Sequence, residues 1–202
     1  MDHLIKGYQR FRATEWPERR KQFEALAQGQ RPRVMVIGCA DSRVDPAMVF
    51  DAGPGEIFTL RNVANLVPPY QPDGSLHGSS AAVEFAVRGL QVEAIIVLGH
   101  AMCGGIGALM AGDAAPMGEF LGPWMRIAAS ARNRVLRCDP ADPQLACEHE
   151  AVRLSLDNLM SFPFVAERVL DGRLQLLGGH FDIRTGVLTM LDREGVFQPA
   201  QG

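Results

Sequence analysis

Short apolar runs rich in β-branched residues alternate with helical segments along most of this chain. The run Ala-Ile-Ile-Val-Leu-Gly at 94–99 has no polar alternation, which is typical of a strand buried on both faces of a sheet. The strand candidates are 33–38, 56–60, 94–99, 174–179 and 186–191. The helical candidates are 75–90, 104–111, 117–136, 144–160 and 162–170. Because strands that alternate with helices form parallel sheets, the pattern predicts an α/β fold with a mostly parallel central sheet of four to five strands flanked by helices.

The first part of the chain does not follow this alternation. Residues 2–28 are rich in Arg, Lys, Glu and Gln, and they predict one or two amphipathic helices interrupted near Pro17. The apolar residues at helical spacing are Leu4, Ile5, Tyr8 and Phe11. We therefore expect residues 1–30 to form an N-terminal helical arm that packs on the rest of the domain or on a partner subunit. The chain as a whole is predicted to be a single domain, 1–202.

Charge and hydropathy exclude several classes of function. The formal net charge is −3, so the chain lacks the basic surplus with which proteins bind nucleic acid or anionic lipid. No apolar run approaches the roughly 20 residues that a membrane-spanning helix needs, and the charged N-terminus lacks the apolar core of a secretory signal. A cytoplasmic location is therefore expected, with no nucleic-acid or membrane partner. In that compartment the four cysteines favour metal binding or catalysis over disulfides.

Residues able to bind a metal follow two of the predicted strands directly. Cys39, Asp41 and Arg43 come after the first strand, and His100 and Cys103 come after the third. The carboxyl ends of parallel strands meet at one edge of a sheet, where such folds bind their ligands. We therefore expect Cys39, His100 and Cys103 to converge there.

Two thiolates and one imidazole are a ligand set that suits zinc. Three protein ligands leave the fourth tetrahedral position to water, which is typical of a catalytic rather than a structural zinc. Asp41 has two possible positions beside such a site. As a fourth ligand it would close the metal to water. Held by Arg43 in a bidentate ion pair, it would leave the site open and could accept a hydrogen bond from the water.

Together these motifs resemble the beta-class carbonic anhydrases, over about residues 5–191. The matching segments are Cys39-Ala-Asp41-Ser-Arg43, Arg61-Asn-Val-Ala-Asn65, the helix 80–87 and Gly99-His100-Ala-Met-Cys103-Gly-Gly. The resemblance implies zinc-dependent, reversible hydration of carbon dioxide to bicarbonate and a proton by zinc-bound hydroxide. It implies one Zn²⁺ per chain on Cys39, His100 and Cys103, with Asp41 and Arg43 as catalytic residues. It also implies a homodimer or tetramer with the active site at the interface.

Further residues match the plant-like subgroup of that family. Gln30 occupies the position of an amide that points at the substrate, and Phe58, Val63 and Phe85 match residues that line an apolar pocket. Gly104, next to the last ligand, is a further expected substrate contact.

A second subgroup carries a regulatory bicarbonate site built from a Trp, an Arg and a late Tyr. These positions hold Val36, Arg61 and Phe181 here, so two of the three elements are missing. The resemblance therefore predicts the open site, with water on zinc at neutral pH.

Two alternatives remain open from the sequence. Some relatives hydrolyse carbonyl sulfide or carbon disulfide with the same ligands. A zinc protein could also have lost catalysis, although the presence of Asp41, Arg43 and Gln30 argues against this. For proton export no spacing favours one histidine over another. The candidates are His3, His77, His149 and His180.

Overall fold

The predicted strands form one sheet in the computed structural model, which describes residues 1–112 and 118–200. The strands are β1 Val34–Cys39, β2 Ile57–Asn62, β3 Ala94–His100, β4 Gln175–Asp182, β5 Val187–Leu191 and β6 Phe197–Pro199. They lie in the order β2-β1-β3-β4-β5-β6. The first four of these are parallel, and β5 and β6 are added antiparallel. The predicted α/β class and the mostly parallel sheet are therefore confirmed.

The sheet has one strand more than the four to five that the sequence predicted. The additional strand, β6, has three residues and ends in Pro199, so it is too short for a hydrophobic alternation to be visible. The turn between β4 and β5 is the predicted one, with Gly186 at a φ of 73°. Glycine adopts this left-handed conformation without steric cost.

The helices also follow the predicted segments, with local differences. They are α1 Asp2–Ala13, α2 Glu15–Leu26, α3 Pro46–Val49, α4 Gly78–Glu84, α5 Gly104–Ala111, α6 Gly118–Met125, α7 Ala129–Cys138, α8 Pro143–Met160 and α9 Pro163–Leu170. The segment predicted as one helix over 75–90 begins at Gly78 and continues beyond α4 as a π-helix, Phe85–Leu90. The segment 117–136 is divided by a 3₁₀ turn between α6 and α7. Its first residue, Met117, lies outside the described residues.

The N-terminal arm consists of two helices, and the break lies at Thr14 rather than at Pro17. Pro17 belongs to the first turn of α2, where a backbone N–H has no partner within the helix and its loss costs little. Neither helix has a buried residue. Leu4 and Tyr8 of α1 are 62% and 59% exposed. The apolar face of α1 is thus uncovered in a single chain.

Helix α8 lies directly on β3 and β4. A side chain at Gly99 of β3 would come within 2.8 Å of Val152 of α8, and one at Gly178 of β4 would come within 3.0 Å of the same valine. This close approach places α8 behind the edge of the sheet where β1 and β3 end. Within residues 1–112 and 118–200, none of the helices has the length and apolar composition that a membrane crossing requires.

Candidate metal centre

The three predicted ligands come together where β1 and β3 end. These strands are parallel neighbours, and Cys39 and His100 are their last residues. Cys103 follows as the residue that caps α5. One ligand atom from each of the three residues lies within 4.8 Å of the others, and all three residues are buried. The topology thus places two sulfurs and one imidazole nitrogen around a common point.

The donor atoms of this cluster fit a zinc ion. His100 donates from Nδ1 to the carbonyl oxygen of Ala101 at 2.9 Å, which fixes the ring and leaves the lone pair on Nε2. Nε2 is buried and has no hydrogen-bond partner among the described residues. A buried polar atom without a partner is costly, and a metal ion would satisfy this one. The sulfur–nitrogen donor set is also the one that zinc prefers.

The two thiols differ in acidity because they share a hydrogen bond. Their sulfur atoms are 4.0 Å apart. The bond from Cys103 is the main cause that lowers the pKa of Cys39 to about 4, against the effect of burial. The same bond, together with burial, raises the pKa of Cys103. The Ala64 N–H also points at the Cys39 sulfur, at 3.4 Å. The shared hydrogen bond thus favours a thiolate in this pair, the form in which cysteine binds a metal.

Asp41 lies beside the cluster in a fork formed by Arg43. The guanidinium donates from Nε to Oδ1 at 2.9 Å and from a terminal nitrogen to Oδ2 at 2.7 Å, and the Arg43 backbone N–H donates to Oδ1 at 2.9 Å. Oδ2 is 3.9 Å from Nε2 of His100. These side-chain hydrogen bonds from Arg43 hold the pKa of the Asp41 carboxyl well below its usual range, although burial opposes them. Asp41 is thus an ionised carboxylate oriented next to the ligand atoms.

Arg61 holds the loop that carries Cys39 and Asp41. Its guanidinium donates to the carbonyl oxygens of Cys39, Asp41 and Val44 at 2.9, 2.7 and 3.0 Å, and to the Asp45 carboxylate at 2.9 Å. From the sequence, Arg61 entered only as part of a family motif and of the incomplete regulatory site. The register pairs Arg61 with Gly38, which explains how its side chain reaches this loop.

We call the edge of the sheet that carries Cys39 and His100 the metal edge. Within a single chain, the expected pocket residues do not all lie there. Val63 follows β2 at that edge, where a side chain at Gly105 would meet Val63 at 2.9 Å. Phe58 pairs with Met35 near the opposite end of the strands. The ring of Phe58 packs on that of Phe85, with 5.8 Å between their centroids. Within one chain, therefore, Phe58 and Phe85 form one group and Val63 belongs to another.

Gln30 and Gly104 also lie at separate places. Gln30 follows α2 and lines a surface hollow together with Phe23, Leu26 and Pro54. Gly104 is the first residue of α5, directly after Cys103. A side chain at Gly104 would meet nothing within 4 Å, so there is open space beside the cluster at this point.

One residue of this region, Glu148, was missed from the sequence. It is 3% exposed, and one of its carboxylate oxygens accepts a hydrogen bond from the backbone N–H of Cys103 at 3.0 Å. The sequence did contain a signal. Glu148 shares the spacing of Val152, Ser155 and Leu159, which are buried along one face of α8, so a charged residue occupies a position on the inward face of that helix.

The histidines considered for proton export lie in different surroundings. His77 pairs with Asp73 at 2.8 Å. His149 stacks on Phe197, with ring centroids 4.0 Å apart, and burial lowers its pKa to about 4. His180 is 3% exposed and contacts Glu148 at 3.0 Å.

Comparison with known proteins gives consistent matches. The sequence model of a family described as carbonic anhydrase matches residues 34–188. The chain is 38% identical to Beta carbonic anhydrase 3 of Arabidopsis thaliana over 208 aligned residues, which cover 99% of this chain and 80% of that protein. The solved structure of the beta-carbonic anhydrase CcaA is similar with a TM-score of 0.91 at 31% identity, covering 99% of each chain. A structure from a study of two tetrameric beta-carbonic anhydrases of the ascomycete Sordaria macrospora has a TM-score of 0.84 at 25% identity, covering 98% of each chain.

Proposed function

Because this chain belongs to the beta class of the carbonic anhydrase family, and so catalyses the reversible hydration of carbon dioxide with a zinc ion, we propose that Cys39, His100 and Cys103 hold that ion in an open site. Asp41 and Arg43 act on the reacting water. The observation that carries this proposal is the Asp41–Arg43 fork beside the three ligand atoms. When bound, a zinc ion with three protein ligands acidifies a water molecule in its fourth position and so supplies a nucleophile near neutral pH.

The contacts of Asp41 support an open rather than a closed site. Both carboxylate oxygens accept hydrogen bonds from Arg43, and Asp41 would have to leave this fork to become a fourth ligand. Bidentate pairs of this kind are among the stronger hydrogen-bonded arrangements in proteins. An ionised carboxylate has about four lone-pair sites. Those that Arg43 leaves unused can accept a hydrogen bond from the reacting water and orient its oxygen toward the carbon of the substrate.

Carbon dioxide hydration measured by stopped flow from about pH 6.5 to about pH 9, on protein of known zinc content, tests the open site. Arg43 holds both carboxylate oxygens of Asp41, so we expect Asp41 to stay paired with Arg43 throughout this range. We therefore expect turnover already at about pH 7. Activity that starts only above about pH 8 would instead mean that Asp41 closes the site at lower pH. Zinc-loaded protein without hydration activity at any pH would contradict the proposed function.

We propose further that the substrate pocket is completed by a second copy of the chain. Val63 and the open space at Gly104 lie at the metal edge, whereas Gln30, Phe58 and Phe85 lie elsewhere in the same chain. Phe85 is 51% exposed, which is high for a large apolar ring in a protein interior. Carbon dioxide is small and apolar, so aromatic rings suit it as a pocket wall.

The position of β2 at the edge of the sheet supports this arrangement. An edge strand presents unpaired backbone groups that can pair with another chain. Antiparallel pairing of two β2 strands about a two-fold axis would place the amino end of one against the carboxyl end of the other. Phe58, near the amino end, would then approach the residues that follow Asn62 of the second copy. The uncovered apolar face of α1 provides a further surface for such a partner.

Subunit complementation tests which chain supplies Gln30. Cys103→Ser and Gln30→Leu chains, each nearly inactive alone, are co-expressed and purified as mixed dimers. If Gln30 serves the site of the partner, one site in each mixed dimer has an intact metal centre and an intact Gln30. Half of the sites in the purified mixed dimers are then intact, so about half of the parent turnover per chain should be restored.

The matched control combines Cys103→Ser with Cys39→Ser. Both substitutions damage the metal centre of their own chain, so no mixed dimer contains an intact site. Recovery in the first pair but not in the second supports a shared pocket. If neither pair recovers activity although mixed dimers are present, Gln30 acts within its own chain.

The finer points of assembly and location are proposals as well. We propose a homodimer that can pair into a tetramer, which is supported by the tetrameric relatives from Sordaria macrospora.

We also propose a cytoplasmic enzyme that serves carbon utilization. In support, all four cysteines are unpaired and Cys138 is exposed, which suits a reducing compartment.

A further inference from the structure

A buried carboxylate lies directly behind the loop that carries Cys103. The side chain of Glu148 is 2% exposed. One oxygen accepts hydrogen bonds from the Cys103 backbone N–H at 3.0 Å and from the Gln144 amide at 2.7 Å. The other oxygen is 3.0 Å from Nε2 of His180. Both oxygens of Glu148 are thus engaged, and one of them contacts the backbone of a proposed zinc ligand.

The peptide group between Met102 and Cys103 is held at both of its polar ends. Its N–H donates to Glu148, and its carbonyl oxygen accepts from the Arg43 guanidinium at 2.9 Å. An anion on one side and a cation on the other therefore determine the orientation of this peptide plane. The same Arg43 holds Asp41, so the peptide links Glu148 to the catalytic fork.

The backbone at this position needs such restraint. Met102 has a φ of 59°, in the left-handed region that a non-glycine residue adopts only at an energetic cost. The carbonyl oxygen of Cys103 accepts a further hydrogen bond from Gln144 at 3.1 Å. Gln144 and Glu148 both belong to α8, so one helix holds the ligand loop in this conformation.

We propose that Glu148 is a positioning residue, which together with Arg43 fixes the Met102–Cys103 peptide and thereby the place of the Cys103 sulfur in the zinc site. This inference rests on the proposed ligand set of Cys39, His100 and Cys103. Without the carboxylate, Arg43 holds this peptide only at its carbonyl end, so the peptide plane can tilt and the backbone of Met102 is less restrained. The Cys103 sulfur then moves relative to the other two ligands, and Arg43 loses a fixed acceptor.

Three substitutions separate the effect of the length of the Glu148 side chain, which is its reach toward the Cys103 N–H, from the effect of its charge. Glu148→Gln keeps an oxygen at the same reach but removes the charge. Glu148→Asp keeps the charge but withdraws it by one methylene, and Glu148→Leu removes both. Glu150→Gln is the matched control, because Glu150 lies on the same helix and pairs with Arg134 and Arg153 instead. Zinc affinity is measured by competition with a chelator, and the unfolding temperature of each apoprotein is measured separately.

We expect Glu148→Leu and Glu148→Asp to weaken zinc binding by about 10–100-fold, the range typical of residues that orient a metal ligand. Glu148→Gln should lose less than about tenfold, and Glu150→Gln should bind as the parent does. Replacing zinc by Co²⁺ adds a spectroscopic readout. The sulfur-to-cobalt absorption bands should shift in Glu148→Asp and stay near those of the parent in Glu148→Gln.

The opposite results would overturn the inference. If Glu148→Asp binds zinc and Co²⁺ as the parent does, the reach of Glu148 does not position Cys103. A lower unfolding temperature with unchanged affinity and unchanged cobalt bands would assign Glu148 a purely structural role. Failure of the underlying ligand set is distinguishable, because Cys103→Ser would then retain zinc whatever the Glu148 variants do.

Discussion

Replacing Cys103 by Ser should remove zinc from the protein and abolish carbon dioxide hydration. The serine hydroxyl stays protonated near neutral pH and is a harder donor than a thiolate, so it cannot replace the sulfur in a site that suits zinc. The loss of affinity should exceed the roughly 10–100-fold that residues around the ligands contribute. Zinc per chain, determined by elemental analysis after dialysis, and stopped-flow hydration check this expectation together.

The chain offers two matched controls for this substitution. Cys138 is exposed and Cys147 is buried, and neither belongs to the ligand cluster. Cys138→Ser should keep both zinc and activity. Cys147→Ser tests whether a polar group at another buried cysteine site lowers activity merely by destabilising the fold. One zinc per chain and parent activity in Cys103→Ser would show that the ligand assignment is wrong.

Replacing Asp41 by Asn should leave zinc bound but reduce turnover by about 10²–10⁴-fold, the range for a positioned group that handles a proton in the reaction. The amide keeps the size of the side chain but loses the charge, and its nitrogen cannot accept a hydrogen bond from the reacting water. Arg43 keeps the pKa of Asp41 below its usual range, so the carboxylate is already ionised at neutral pH. The Asn amide does not ionise, so raising the pH should not restore this charge or the turnover of the variant. The turnover number, the KM and the zinc content are measured together.

Asp182 provides a close control for Asp41. Arg184 holds Asp182 in the same kind of fork, through its backbone N–H at 2.8 Å and its side chain at 3.0 Å for each oxygen. Asp182→Asn thus disrupts an equivalent Asp–Arg pair that lies outside the ligand cluster. It should retain the turnover of the parent. Equal losses of turnover in the two variants would mean that such pairs act through the stability of the fold. If Asp41→Asn keeps the turnover of the parent, the proposed catalytic role of Asp41 is wrong.

The features predictable from the sequence are those that depend on local pattern. Continuous apolar runs such as 94–99 identify strands that are buried on both sides, and the five predicted strands are all present. The convergence of Cys39 and His100 follows from topology, because parallel neighbouring strands end at the same edge. The metal ligands directly follow or end predicted strands, so their place in the fold can be inferred from their place in the sequence.

Features that depend on long-range contacts could not be predicted. The bonds of Arg61 to the loop after β1 come from the register of β2 against β1, and hydrophobic periodicity does not specify that register completely. The spacing of Glu148 indicates the inward face of α8, but its contact with Cys103 becomes visible only when α8 is placed behind the ligand loop. By contrast, the separation of Phe58 from Val63 is a local consequence of the predicted strand 56–60, because residues five apart in a strand lie roughly 17 Å from each other.

The two outer strands of the sheet have different consequences for how far copies of this chain can assemble. β6 is three residues long and contains Pro199, which has no N–H to offer to a further strand. β2 is twice as long and presents a regular edge. If two copies join through β2, the pairing occupies the edge that could otherwise accept further strands. The free edges of the joined sheet are then the two β6 strands, each of which contains Pro199. Addition of strands then stops after one step, and the chain is protected from open-ended, fibre-like aggregation.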